Sequence, residues 1–231
     1  NLRALDYAAG KGYSPEVRLA SLLHDVGKPR TKRGNGHDST FYAHEVVGAK
    51  MTLRILDRLK FTKNFVEKVA HLVRYHLFYY NTGEVSEAGV RRFIARVGVE
   101  HIDDLLKVRE ADRIGSGVPK AFPYKLRHLQ FMIDKVRRDP VSPKMLAVRG
   151  EDVMEVLGIQ PGPKVGWILG LLLDEVLESP KKNDKELMVK EIRKLGKLSD
   201  DELRRMAGEA RNRKDEFEEG AEEEMRRRHR V

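Results

Sequence analysis

Two adjacent histidine–aspartate pairs, His24-Asp25 and His37-Asp38, are the first places in this 231-residue sequence to look for chemistry. An imidazole nitrogen and a carboxylate oxygen both suit a divalent cation. The chain contains no cysteine, so any metal must be held by His, Asp or Glu. The two pairs differ in their surroundings. Leu19, Leu22, Leu23 and Val26 recur at helical spacing around His24 and Asp25. Gly27 follows where such a helix would end, and Pro29 cannot continue it. Side chains about 100° apart at a helix end can lean toward one ion; a helix C-cap pair is the structural alternative. His37-Asp38 falls in the polar, glycine-rich stretch 34–40 and reads as a loop. Lys28 and Arg74 are suited to neutralising a phosphate, with solvated surface charge as the alternative.

The elements that must carry these residues read as helices throughout. Ser14 followed by Pro15 is a helix start, and the helix it opens leads to His24. A loop is expected over 28–40, then a long helix over 42–59 with His44 in its first turn. Thr62 is placed to cap a helix over 63–78 that carries His71 and His76, with Phe65, Val66, Val69, Leu72, Val73 and Leu77 as its apolar stripe. His71, five residues before His76, faces elsewhere and reads as structural. Further helices are expected over 88–97, over a stretch from Ile102 to past Asp112, and over 121–138. The segment 139–143, DPVSP, is the expected internal boundary. Beyond it come a short helix ending at Gly158, an apolar helix over 167–177 with Trp167 as core, and an amphipathic segment over 185–195. Ser199 and Glu202 have the spacing of a capping box. The stretch 203–231 is nearly all charged and reads as an exposed helix or a frayed tail. No strand run or repeat is visible, so the expected class is all-α.

The charge balance, 45 Lys+Arg against 36 Asp+Glu for a net +9, favours a polyanionic partner such as RNA, or simply a soluble basic protein. No apolar run approaches a transmembrane length and no signal-peptide pattern opens the chain, so no membrane association and a cytoplasmic location are expected. The chain opens on Asn1 rather than Met, as expected of a piece of a longer gene product or a trimmed chain.

Residues 22–29, LLHDVGKP, resemble the signature of the HD phosphohydrolase superfamily. Residues 41–49, FYAHEVVGA, and 72–76, LVRYH, look like that superfamily's version in the bacterial CCA-adding tRNA nucleotidyltransferases and poly(A) polymerases. Residues 90–94, VRRFI, and 109–113, READR, are similar to the later helices of the same HD domain. Residues 146–154, LAVRGEDVM, and above all 158–166, GIQPGPKVG, resemble the stretch that follows it. The resemblance implies an HD-domain helical bundle over 1–139 and a smaller helical body with a charged tail over 140–231.

It also implies His24, Asp25 and Asp112 as ligands converging on one divalent ion, whether Mg, Mn, Ni, Co, Fe or Zn. By the same family positions, His44 and His76 serve a second ion or a substrate phosphate, so His24, Asp25, His44 and His76 form the implied catalytic set. The structural alternatives are a buried Asp112 paired with Arg113 and packed, hydrogen-bonded histidines. In the family pattern a first His lies just before the segment matched here by 2–6, LRALD; in this chain that position precedes residue 1 or is replaced. The family's nucleotidyltransferase head lies upstream, with a Gly-Ser turn and paired carboxylates. This chain has no such constellation and is not itself expected to add nucleotides.

The chemistry the resemblance implies is metal-dependent hydrolysis of phosphoesters: 2′,3′-cyclic phosphates or phosphomonoesters on tRNA or other RNA 3′ ends, or on nucleotides. The competing reading is a non-catalytic body and tail that grips tRNA for a nucleotidyltransferase head. Arg91, Arg92, Lys164, Lys181 and Lys182 are the expected RNA contacts, because they cluster and flank the matched segments.

Overall fold

In a computed structural model, which describes residues 1–36, 39–117 and 123–212, the Ser14-Pro15 start does what its residue types dictate. The Ser14 hydroxyl accepts from the Val17 amide and Pro15 occupies the first turn of a helix, α2. The elements in order are α1 (Leu2–Gly10), α2 (Pro15–Leu23), α3 (Lys28–Thr31), α4 (His44–Arg58), α5 (Lys63–Tyr75), α6 (Glu87–Val97), α7 (Ile102–Gly115), α8 (Tyr124–Val136), α9 (Gly150–Leu157), α10 (Pro163–Glu178), α11 (Lys185–Leu195) and α12 (Asp200–Asn212). Among the described residues there is no strand. A single isolated bridge pairs Arg33 with Thr40. The fold is all-α.

The chain divides into two compact units. The first comprises 1–82 and 97–129, and the second 83–96 and, within the described residues, 130–212. In the first unit α1 packs on α2 and α7, α2 on α5 and α7, and α4 on α5. Small residues line the contact of α1 with α7: Ala4, Ala8 and Ala111 are fully buried together, flanked by Tyr7 and Tyr13. Both tyrosine hydroxyls donate to Glu110, at 2.6 and 2.7 Å, one to each carboxylate oxygen. Val66, Val69, Leu72 and Val73 of α5 are buried at helical spacing.

In the second unit Ile168, Leu172 and Val176 of α10 form a core with Val153 of α9, Met188 and Ile192 of α11 and Leu203 of α12. Gly158 closes α9 at φ 63°, the left-handed conformation glycine adopts at least cost. No described helix is long and apolar enough to cross a membrane.

Several boundaries differ from the sequence reading for local reasons. α5 ends at Tyr75, so His76 is its C-cap rather than an interior residue, and Thr62 precedes it without a side-chain cap bond. The expected loop after Gly27 contains the short helix α3, with Pro29 in its first turn, where a missing N–H costs nothing. α10 begins four residues earlier than expected, at Pro163. The Ser199–Glu202 box is formed in both directions: the Ser199 amide donates to Glu202 and the Glu202 amide to the Ser199 hydroxyl. The stretch after it is not all solvent-facing, because Leu203 is fully buried in the core of its unit. The pair His37-Asp38, positions 121–122 of the helix expected over 121–138, and the tail from 213 onward lie outside the described residues.

Candidate metal centre

Three helix ends of the first unit deliver three histidines to one place. His24 is the C-cap of α2, with helical φ/ψ of −51° and −39°. His44 is the first residue of α4, entered through Ala43 at φ 58°, a left-handed turn that redirects the chain. His76 caps the C-terminus of α5. All three are buried.

Each ring is held in the same way. Nδ1 of His24 bonds the Ser21 carbonyl at 2.8 Å, that of His44 the Phe41 carbonyl at 2.8 Å, and that of His76 the Val73 carbonyl at 2.7 Å. A carbonyl oxygen only accepts, so each Nδ1 carries the hydrogen, and in the neutral ring each Nε2 keeps its lone pair. Such a second bond fixes the tautomer and orientation of a metal-ligating histidine.

The three Nε2 atoms face carboxylates. Nε2 of His24 lies 3.3 Å from Asp25 Oδ2 and 3.2 Å from Asp112 Oδ1. Nε2 of His44 and of His76 lie 3.4 and 3.8 Å from the other Asp25 oxygen, Oδ1. Asp25 is therefore the middle of the cluster, with one oxygen toward His24 and the other toward His44 and His76. Among the described residues, the three donors within 4.8 Å of one another are those of Asp25, His44 and His76. His24 and Asp112 adjoin them on the far side of the Asp25 carboxylate.

The electrostatics match this geometry. Burial pushes the His24 imidazole down, but hydrogen bonds and charge from Asp112 and Asp25 outweigh it and raise the pKa to about 9. Burial pushes both carboxyls up, yet the His24 bonds, with His44 and Lys28 at Asp25 and Arg109 at Asp112, hold them well below the usual carboxylate range. His76 goes the other way: burial first, then the charge on His24, depress it to about 3, so it stays neutral. A proton on His24, with Lys28 and Arg109, thus offsets the two carboxylates, and a cation of higher charge suits the same donors.

Lys28 bonds Asp25 Oδ2 at 2.7 Å and remains partly exposed at the rim. Arg74 lies 3.6 Å from Glu45, whose other oxygen is 3.7 Å from His44 Nδ1. Asp112 accepts from Arg109, at 2.9 Å, and from Ser116, and its charge also acts on Arg113, the residue named in its structural alternative. Arg109 and Glu45 escaped the sequence reading. The signal for Arg109 was its position three residues before Asp112, one helical turn away. His71 is separate from the cluster, with Nε2 2.6 Å from the Val97 carbonyl and its ring against His101.

The cations chosen for RNA fare differently. Arg91 is 4% exposed and its guanidinium donates to the Leu177 and Glu178 carbonyls and to Asp139. It braces the second unit from inside and presents no charge to a ligand, which corrects its assignment as an RNA contact. Arg92 pairs with Glu178 and Asp174, Lys164 with Asp200 and the Leu198 carbonyl, and Lys182 with Glu175. Lys181 lies exposed in the turn at Pro180–Lys182.

The family model of the HD domain matches residues 2–115. Residues 2–115 are an HD domain. The match spans α1 to α7 and every residue of the histidine–aspartate cluster. Over 68% of its length the chain is 36% identical to the A-adding tRNA nucleotidyltransferase of Deinococcus radiodurans, and over 71% it is 37% identical to the CC-adding tRNA nucleotidyltransferase of Thermus thermophilus. Over 77% it is 28% identical to the multifunctional CCA protein of Polaromonas naphthalenivorans. It covers 37%, 36% and 41% of these relatives, respectively. No solved structure gives a significant match. The HD domain's donor set, imidazole nitrogens with carboxylate oxygens and no thiolate, fits a divalent metal ion without selecting one.

Proposed function

We propose that this HD domain is a metal-dependent phosphohydrolase of a tRNA-processing protein, acting on 2′,3′-cyclic phosphates and phosphomonoesters at RNA 3′ ends or on nucleotides. The observation that carries the reading is the shared posture of His24, His44 and His76. Each is pinned by Nδ1 to the carbonyl three residues before it and aims Nε2 at Asp25 or Asp112. Asp25, His44 and His76 would hold one divalent ion, and His24 with Asp112 extends the site across the same carboxylate. Such an ion supplies polarisation of a phosphoryl oxygen and a more acidic water.

The chain's own residues do the rest. Lys28 and Arg74 add positive charge for the phosphate at the rim. His76, kept neutral by burial, keeps at Nε2 the lone pair with which it would hold the ion. The Nδ1–carbonyl bonds keep the rings from turning away. Residues 1–139 form the phosphohydrolase-like part and 140–231 the body and tail of the nucleotidyltransferase type. The setting is cytoplasmic, and Lys181 is the cation of the second unit best placed for tRNA phosphates.

The experiment is phosphate release from 2′,3′-cyclic AMP and 3′-AMP by the purified chain, with each divalent ion added in turn. Ion-dependent release that chelation abolishes and Asp25→Asn removes, with the helical circular dichroism unchanged, is the expected result. Release that needs no ion, or that survives Asp25→Asn, overturns the reading.

A further inference from the structure

We infer that a cavity in the first unit, walled by aromatic rings and guanidinium groups beside the metal centre, is a subsite for the terminal nucleoside of a nucleotide. The inference rests on the phosphohydrolase reading for its chemistry and names what that site takes. The cavity has a volume of about 550 Å³, within the range of pockets that hold small ligands. Tyr79, Tyr80 and Tyr124 line it, and Arg109, Arg113 and Lys125 bring cations to it.

Its position follows from one helix. Arg109 and Arg113 are four residues apart on α7 and share a face. Asp112, between them in sequence, points instead at His24. The same turn of α7 therefore puts a carboxylate into the cluster and two guanidinium groups into the cavity. Arg109 joins the two directly, because its Nη1 is bonded to Asp112 at 2.9 Å while its guanidinium lies 5.6 Å from the centre of the Phe78 ring. A phosphate held toward Arg109 would be next to the cluster.

The aromatic lining is ordered. The Tyr80 hydroxyl and Nδ1 of His128 share a hydrogen bond, the His128 ring stacks on Tyr80 with centroids 5.9 Å apart, and Tyr124 lies at the same distance from His128 on a tilt. Tyr124 is 61% exposed, so one broad ring face is open to a ligand. An apolar ligand has no use for three cations, and a bare phosphate none for three phenol rings. A nucleobase stacked on tyrosine with its phosphate toward arginine uses both. Stacking reads any base, so the subsite selects a nucleoside over other phosphoesters more than one base over another.

The test is equilibrium binding by calorimetry to the metal-free chain in chelator, so that nothing turns over. The ligands are 3′-AMP, ribose 5-phosphate, inorganic phosphate and a single-stranded RNA trinucleotide ending in adenosine. The expected result is that 3′-AMP or the trinucleotide binds about tenfold or more tightly than ribose 5-phosphate, and that Tyr124→Ala abolishes this advantage. Inorganic phosphate should bind Tyr124→Ala and the parent chain alike. Loss for 3′-AMP and trinucleotide together supports a site for any terminal nucleoside, and loss for the trinucleotide alone supports one for RNA ends.

If neither Tyr124→Ala nor Tyr79→Ala changes the preference, or if ribose 5-phosphate binds as well as both 3′-AMP and the trinucleotide, the inference falls. Base-dependent binding without any phosphate release would leave the subsite standing and remove the phosphohydrolase reading. Release that is indifferent to Tyr124, on cyclic AMP and on a simple aryl phosphate alike, would do the reverse.

Discussion

Gly27→Ala would disturb the site through the backbone alone. Gly27 has φ −77°, which any residue adopts, so conformational freedom is not what calls for glycine there. Space is. A Cβ on Gly27 would lie 2.2 Å from the His44 carbonyl oxygen and 2.7 Å from the Gly48 amide nitrogen, both backbone atoms of α4. Ordinary contact begins near 3.4 Å, so the start of α4 must retreat by about 1 Å. His44 would move with it, away from Asp25 Oδ1, now 3.4 Å from its Nε2.

The overpacking should cost about 1–3 kcal/mol, a fall of about 2–12 °C in melting temperature for a chain of this size. Divalent-ion affinity should fall on the order of 10–100-fold, as when the support of a ligand is removed. Melting by circular dichroism and ion binding by calorimetry measure the two effects. Gly48→Ala is the control on the facing helix: its Cβ meets nothing closer than 3.4 Å, and both properties should stay near those of the parent. A Gly27→Ala protein that melts and binds ions like the parent would refute the claim that this glycine sets the approach of α4 to the cluster.

Arg91→Ala should destabilise the chain by about 3 kcal/mol in urea unfolding, because it leaves the buried Leu177 carbonyl, the part-buried Glu178 carbonyl and Asp139 without their donor; a loss below about 1 kcal/mol would mean that Arg91 is not a brace. Burial, then the hydrogen bond and charge of Glu110, raise Tyr7 from 10.0 to about 12 and push Tyr13 up as well. A raised folded pKa favours the folded state fully below the ordinary value, and the gain is lost as pH rises through about 12. Stability should therefore fall over that alkaline window, and Glu110→Gln should shift the ultraviolet ionisation of these tyrosines to lower pH. An unchanged titration in Glu110→Gln would contradict it.

The helices were legible because their signals are local. Serine and proline at the start of α2, the two-way bond of Ser199 and Glu202, and the apolar periodicity of α5 each depend on residues within a turn or two. His24-Asp25 stood out for the same reason, as polar residues breaking an apolar helix at its end. What the sequence hid depends on distant partners. Arg91 reads as one of a basic pair until Leu177, 86 residues away, turns out to accept from it. Gly27 reads as a helix stop until α4 is packed on it. Leu203 opens a charged stretch yet belongs to a core assembled from four helices. Arg109 was hidden for another reason: an arginine one turn from an aspartate is common on any exposed helix, and only the cluster beyond Asp112 gives it significance.

The most direct test of the metal centre is the anomalous scattering of crystals grown with manganese(II). A peak is expected within ordinary coordination distance, about 2.0–2.6 Å, of an Asp25 oxygen and of Nε2 of His44 and His76, absent in Asp25→Asn. Crystals in which these donors surround no peak, while manganese scatters elsewhere on the chain, would contradict it.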